Sequence, residues 1–176
     1  MSPGMPQNGD RKHISVQGRF VTVFREQGKL YCIDSICYHA GGPLTIGDIE
    51  DAAGHLCVVC PWHTYHVRLD TGQRMFRGLK PVDGKLVPTG WECAGTKQRV
   101  HEIEDRNEGV FVRLNLDGPE LESDEYAYNA RYTGNLGASM GGKRHVGSDG
   151  SMPKRNMQRS GHVMRQGGFA NYRNKY

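Results

Sequence analysis

Two short pairs constrain this chain more than any other feature: Cys37-Tyr38-His39 and, after twenty intervening residues, Cys60-Pro61-Trp62-His63. Each couples a soft thiolate donor to an imidazole. The spacings differ, with one residue inside the first pair and two inside the second. A zinc finger would instead show Cys-x(2–4)-Cys followed by His-x(3–5)-His. A single ion has difficulty taking both donors from each of two such tight pairs. Two metal ions relieve this if one takes the two sulfurs and the other the two nitrogens. Zinc in the site is the alternative. In either case the fold must bring two separate loops to one place.

The flanking segments read as short strands. Residues 19–25 and 30–34 are β-branched and aromatic around Gln27-Gly28-Lys29, a hairpin signal. Residues 56–60 and 65–69 read as two further strands, the second closed by Asp70-Thr71-Gly72. Residues 99–104 and 110–114 alternate with period two about Arg106-Asn107-Glu108-Gly109, a terminal hairpin. Little helix is expected. Many short strands at even spacing point to a small antiparallel barrel or sandwich.

Composition divides the chain. Of its 34 Leu, Ile, Val and Phe residues, 29 lie in residues 1–116, so only that part can bury a core. Residues 1–138 carry a net charge of −3 and residues 139–176 carry +7, so the basic character belongs to the tail. The resulting division is an N-terminal extension (1–10), a metal-binding domain (11–116), an acidic, Tyr-rich link (117–138) and a basic Gly-rich tail (139–176). Tyr126, Tyr128 and Tyr132 of the link are placed to dock back on the domain. No apolar run approaches the ~18 residues of a membrane span, and there is no apolar signal region at the start. Five cysteines, an odd number, favour free or metal-bound thiols in a reducing compartment. A cytoplasmic location is expected.

The run Cys37-Tyr38-His39-Ala40-Gly41-Gly42-Pro43-Leu44, then Gly47-Asp48-Ile49-Glu50-Asp51 and Val59-Cys60-Pro61-Trp62-His63, resembles the Rieske family, and within it the small soluble ferredoxins of animals. The likeness spans about residues 11–135. It implies an all-β, antiparallel three-sheet fold with the cluster-binding loops at one tip, the low-complexity basic tail lying outside it. It also implies one [2Fe–2S] cluster, with Cys37 and Cys60 on the buried iron and His39 and His63 on the outer, solvent-facing iron. Two His in place of two Cys make the oxidised centre neutral, which raises the potential to ~−150 to +300 mV against ~−400 mV for plant-type ferredoxins. Respiratory members of the family carry an extra cysteine in each loop and hydroxyl donors after the second His. Here Gly42, Trp62 and Thr64-Tyr65-His66-Val67 stand in the corresponding positions. Fewer donors place the expected potential in the lower half of that span.

The resemblance implies a soluble one-electron carrier between a reductase and an oxygenase or other acceptor. It would be an electron-transfer protein of an oxidoreductase system rather than a complete enzyme. An oxygenase would need a second iron site of two His and a carboxylate, and after His63 only His66, His101, His145 and His162 remain. The alternative is a structural protein of a large assembly, cytoskeletal or ciliary, strapped down by its tail. The tail's spread cations and aromatics suit an acidic surface such as a microtubule lattice, nucleic acid or an anionic membrane. Cys32, Cys57 and Cys93 read as small packing residues. His66 reads as a surface strand residue, and His13, His55, His101, His145 and His162 as solvated or packed surface side chains. Trp62 reads equally as a cap over the cluster or as a docking residue.

Overall fold

The computed structural model describes residues 9–128 and a short strand at Ala170–Tyr172. Arg11–Val16 (β1) leads into Arg19–Glu26 (β2) and Lys29–Asp34 (β3), and β2 and β3 make the hairpin expected around Gly28. Alternation sorts their side chains. Val21 and Val23 pack with Ile14, Val16, Cys32 and Val112, while Phe24 on the other face of β2 joins the central core. Thr22 shares that second face, and its hydroxyl is satisfied by Ser35 and Thr45 at 2.8 and 2.6 Å.

After a 3₁₀ turn at Leu44–Ile46 come Asp48–Ala52 (β4), His55–Val59 (β5) and His66–Arg68 (β6). A long hairpin of Gln73–Val82 (β7) and Lys85–Thr96 (β8) follows, then Val100–Arg106 (β9) and Gly109–Arg113 (β10). Ala170–Tyr172 (β11) adds to the free edge of β10. Strand pairing is antiparallel throughout, in the orders β1-β2-β3-β9-β10-β11 and β4-β5-β6-β7-β8. The larger sheet is two ladders joined by only two residue pairs, Cys32↔His101 and Ile33↔Val100. The molecule thus consists of three sheet portions, the all-β antiparallel arrangement expected from the sequence.

The β7–β8 hairpin was not legible as strands. Gly78, Pro81, Pro88 and Gly90 read as breakers, yet the prolines sit where the arm projects into solvent. Residues 79–90 are exposed on both faces, so no burial period marks them. Leu79 and Leu86 are 58% and 67% exposed. The tail beyond residue 128 lies outside the described residues apart from β11, including Tyr132 and the cations assigned to an acidic partner.

Residues 121–128 return to the larger sheet through a buried polar network. Asp34 is fully buried and accepts from Arg19 Nε and Nη2 at 2.7 and 2.6 Å and from Ser123 Oγ at 2.6 Å. His101 Nε2 stands 3.0 Å from the same carboxylate. Asp124 bridges Arg19 and Arg99, and the Phe20 N–H donates to the Ala127 carbonyl at 2.9 Å. Burial works to raise the pKa of Asp124, but the hydrogen bonds from Arg99, the Leu121 amide and Arg19 outweigh it and hold the group well below the usual carboxylate range. His101 therefore corrects the expectation of a surface side chain. It shares a face of β9 with Ile103, which packs on the core, and Asp34 makes its burial tolerable.

Candidate metal centre

The central core contains both cysteines of the paired motifs. Phe24 and Ile33 from one sheet meet Val58 and Val67 from the other, with Cys37, Cys60, Leu44 and Leu69 between them. Cys37 and Cys60 are each 1% exposed. They sit at the heads of two loops with the same backbone. The Cys37 N–H donates to the Gly42 carbonyl at 2.8 Å, and the Gly41 N–H donates back to the Cys37 carbonyl at 3.0 Å. In the second loop the Cys60 N–H donates to Tyr65 O at 2.8 Å, and the Thr64 N–H donates back to Cys60 O at 2.8 Å. The fifth residue of each loop is left-handed, Gly41 at φ 78 and Thr64 at φ 55. Glycine takes that conformation freely. A threonine there costs about 1–2 kcal/mol.

Each loop lifts its histidine out of the core. His39 and His63 are exposed, and their Nδ1 atoms face one another at 3.3 Å with the rings edge to face. Tyr65 backs both rings, its centroid 4.4 Å from that of His39 and 6.4 Å from that of His63. The structure thus brings the two sulfurs together in the core and the two imidazole nitrogens together at the surface. Among the described residues no three His, Cys, Asp or Glu side chains converge as they would around one ion.

The two thiols are hydrogen-bonded to each other and titrate as a pair. The bond to Cys37 lowers Cys60 to about 6, helped by the Trp62 and His63 amides, which point at its sulfur against the effect of burial. The same bond, with burial, pushes Cys37 up. Cys60 is thus set up to present a thiolate, the form a metal binds.

Three residues besides the four proposed ligands hold this geometry. Gln98 is fully buried beneath the first loop, where its Nε2 donates to the carbonyls of Asp34 (3.1 Å) and Ile36 (2.7 Å) and its Oε1 accepts from the Tyr38 N–H (3.0 Å). Nothing in the sequence marks it, because a lone Gln between Lys97 and Arg99 reads as surface. Gly42 is the second. A Cβ there would lie 2.7 Å from Cys60 Sγ and 3.2 Å from the Trp62 ring, so the loops meet only because that side chain is absent. Trp62 is the third, packed on Gly42 while 46% exposed. It covers the join and also faces outward.

The other cysteines behave unequally. Cys32 and Cys57 are buried, and burial raises both thiols, Cys57 to about 11, as befits inert packing residues. Cys93 is exposed on β8, the edge strand of the smaller sheet, which corrects its expected packing role. His66 pairs with Glu50 at 3.0 Å, stands 3.0 Å from the Thr64 carbonyl and lies against Trp91.

A family model described as soluble Rieske-type ferredoxin matches residues 6–117. A human Rieske domain-containing protein is 38% identical over 121 residues, covering 69% of this chain and 76% of that one. The cholesterol 7-desaturase of Caenorhabditis elegans is 29% identical over 123 residues, which are 65% of this chain but only 25% of that protein. Among solved structures, the ferredoxin of carbazole 1,9a-dioxygenase from Nocardioides aromaticivorans is similar at 21% identity and a TM-score of 0.44, over 62% of this chain and 89% of that one. The chain belongs to the soluble Rieske-type ferredoxin family.

The residues present fit the [2Fe–2S] group this family implies. Two buried sulfurs, one favoured as thiolate, and two facing imidazole nitrogens make a donor set divided two and two. The close approach at Gly42 leaves room for no further side chain between the loops.

Proposed function

We propose that this protein is a one-electron carrier holding a Rieske-type [2Fe–2S] cluster on Cys37, His39, Cys60 and His63. The observation that carries this reading is the division of the four donors on two like loops, sulfurs in the core and imidazoles at the surface. When bound, such a cluster accepts and returns one electron, with its charge going from neutral to −1. The chain's own contribution is positional. The core shields the sulfurs from water, the backbone amides of Trp62 and His63 point at Cys60 and favour negative charge there, and Tyr65 fixes the two rings. His39 and His63 form the exposed edge by which an electron enters and leaves. The partners are a reductase as donor and an oxygenase or other acceptor. The match to one quarter of a desaturase suits a carrier that supplies as a separate chain what such an enzyme holds within its own. The free thiols suit a reducing compartment, and we place the carrier in the cytoplasm. Residues 11–116 form the cluster domain, and the link 117–138 begins by packing on it.

An electrochemical titration followed by electron paramagnetic resonance tests this. The expected result is a single one-electron wave in the lower half of the ~−150 to +300 mV span, together with a rhombic signal in the reduced state. A protein that shows no such wave or signal after iron reconstitution overturns the carrier reading.

A further inference from the structure

Next to the exposed imidazole of His63 lies a half-open cavity of about 340 Å³ whose walls include Arg74, Arg77, Trp91, His66 and Glu50. Two of these residues stand apart from their kind. Every other described arginine donates to a carboxylate or a backbone carbonyl: Arg11 to Gly47, Arg19 to Asp34, Arg25 to Asp105, Arg68 to Asp70, Arg99 to Asp124, Arg106 to Glu104 and Arg113 to Glu102. Among the described residues, the side chains of Arg74 and Arg77 have no hydrogen bond and no ion pair, and the Nε of Arg74 is shut away from solvent without an acceptor. Glu50, the carboxylate on the same wall, is taken by His66.

The two guanidiniums are nevertheless held in place. Arg74 lies 4.2 Å above the Tyr65 ring and 5.6 Å from that of Phe76, while Arg77 lies 4.8 Å above Trp91. Stacking occupies the face of a guanidinium and leaves its N–H edge free, the edge that pairs bidentately with a carboxylate. Because the rings already fix both side chains, little rotamer freedom remains to be lost on binding. Their surroundings sharpen the contrast, since residues 1–138 carry a net −3. On the loop that supplies His63, Trp62 offers an exposed indole, and Trp and Arg are the side chains most often central to binding interfaces.

We propose that Arg74 and Arg77, with Trp62, form the docking surface for an acidic loop of the electron-transfer partner, whose carboxylates pair with the two guanidinium edges beside His63. This rests on the carrier reading, because a partner must approach the imidazole edge closely enough to exchange an electron. The cavity and the two unpaired cations then lie inside that contact. Complementary charge at such a place speeds encounter and fixes orientation.

The test uses the full-length, cluster-loaded protein, reduced and then reoxidised by ferricyanide in a stopped-flow instrument, with a hexaglutamate peptide as competitor. Free glutamate at equal carboxylate concentration is the comparison. The double variant R74Q/R77Q is expected to reoxidise roughly three- to tenfold more slowly at low salt, with the difference vanishing at high salt, and to keep its midpoint potential. The peptide is expected to slow the wild type and not the variant. R113Q, on the other sheet, is expected to behave as wild type. R74K/R77K retains the charge and is expected to keep the fast reaction with ferricyanide while losing peptide competition, since lysine lacks the planar fork. Unchanged rates and competition in R74Q/R77Q, or an equal effect from R113Q, overturn the docking surface and leave the carrier reading intact. Competition by free glutamate equal to that by the peptide also overturns it, in favour of a small-carboxylate site. Absence of the cluster signal in the wild type removes both.

Discussion

The two loops at the tip share one backbone and differ in what holds it. In both, the cysteine N–H and carbonyl close a turn over the following residues, and the fifth residue is left-handed. The first loop hangs from the polar core. Gln98 grips Asp34, Ile36 and Tyr38, and Asp34 is itself gripped by Arg19, His101 and Ser123. The second loop has local side-chain contacts instead, with His66 Nδ1 3.0 Å from the Thr64 carbonyl and Thr64 Oγ1 donating to the His63 carbonyl at 2.7 Å. It is held by its own turn, by the β5 and β6 strands at its ends and by Trp62 lying on Gly42. The difference teaches that a repeated backbone motif does not need repeated support. One loop is positioned by long-range contacts reaching residue 124, the other by local ones.

Five substitutions and one change of pH would break or sharpen that contrast. The largest effect is expected from Asp34→Ala, which strands the buried Arg19 guanidinium. Stability should fall by about 3–5 kcal/mol, read as a lower denaturant midpoint at unchanged slope. Gln98→Ala comes next. It removes the acceptor of the Tyr38 N–H and one donor from each of two carbonyls, for a total loss of about 1–3 kcal/mol. Amide exchange should accelerate at Tyr38 and Gly41 and hardly at Thr64. Equal acceleration in both loops would show that the second also depends on the polar core.

A smaller effect is expected on the acid limb. Asp124 has a depressed pKa in the fold, so its contribution is present above the ordinary carboxylate value of ~3.9 and is lost as the pH falls below it. Melting temperature should drop steeply there, and Asp124→Asn should lower stability near neutrality and flatten the drop. The smallest effects concern the matched left-handed residues. Gly41→Ala should destabilise by about 1–2 kcal/mol, while Thr64→Gly should stabilise by about 0.5 kcal/mol, because relief of strain slightly exceeds the added freedom of the unfolded chain. Thermal melts of the two variants give both signs.

How far the sequence carried follows from the same contrast. The two loops that carry the proposed ligands were legible because Cys-x-His and Cys-x-x-His combine scarce residue types at short spacing. The hairpin β2–β3 was legible from its β-branched and aromatic residues around Gly28, and β9–β10 from the period-two alternation of its sequence. His101 could have been found, since period two places it with Ile103 on the inward face of β9. Gln98, Ser123 and Asp124 could not. They act across more than twenty residues of sequence, and a polar side chain carries no sign of its burial until its partners are known. The β7–β8 arm failed for the opposite reason. It projects away from any core, so neither face records burial, and its glycines and prolines punctuate a strand that pairing nevertheless holds together. Arg74 and Arg77 were equally silent, because an unpaired arginine looks like a paired one until the carboxylates have been placed.

The central claim is that sulfur and nitrogen are divided between two irons. Electron–nuclear double resonance on the reduced protein, grown with ¹⁵N-labelled histidine, reads this directly. The account expects couplings from two histidine nitrogens, with one lost in each of His39→Ser and His63→Ser that still retains a cluster. A reduced centre with no histidine nitrogen coupling, or a single zinc ion bound by the same four side chains, would contradict it.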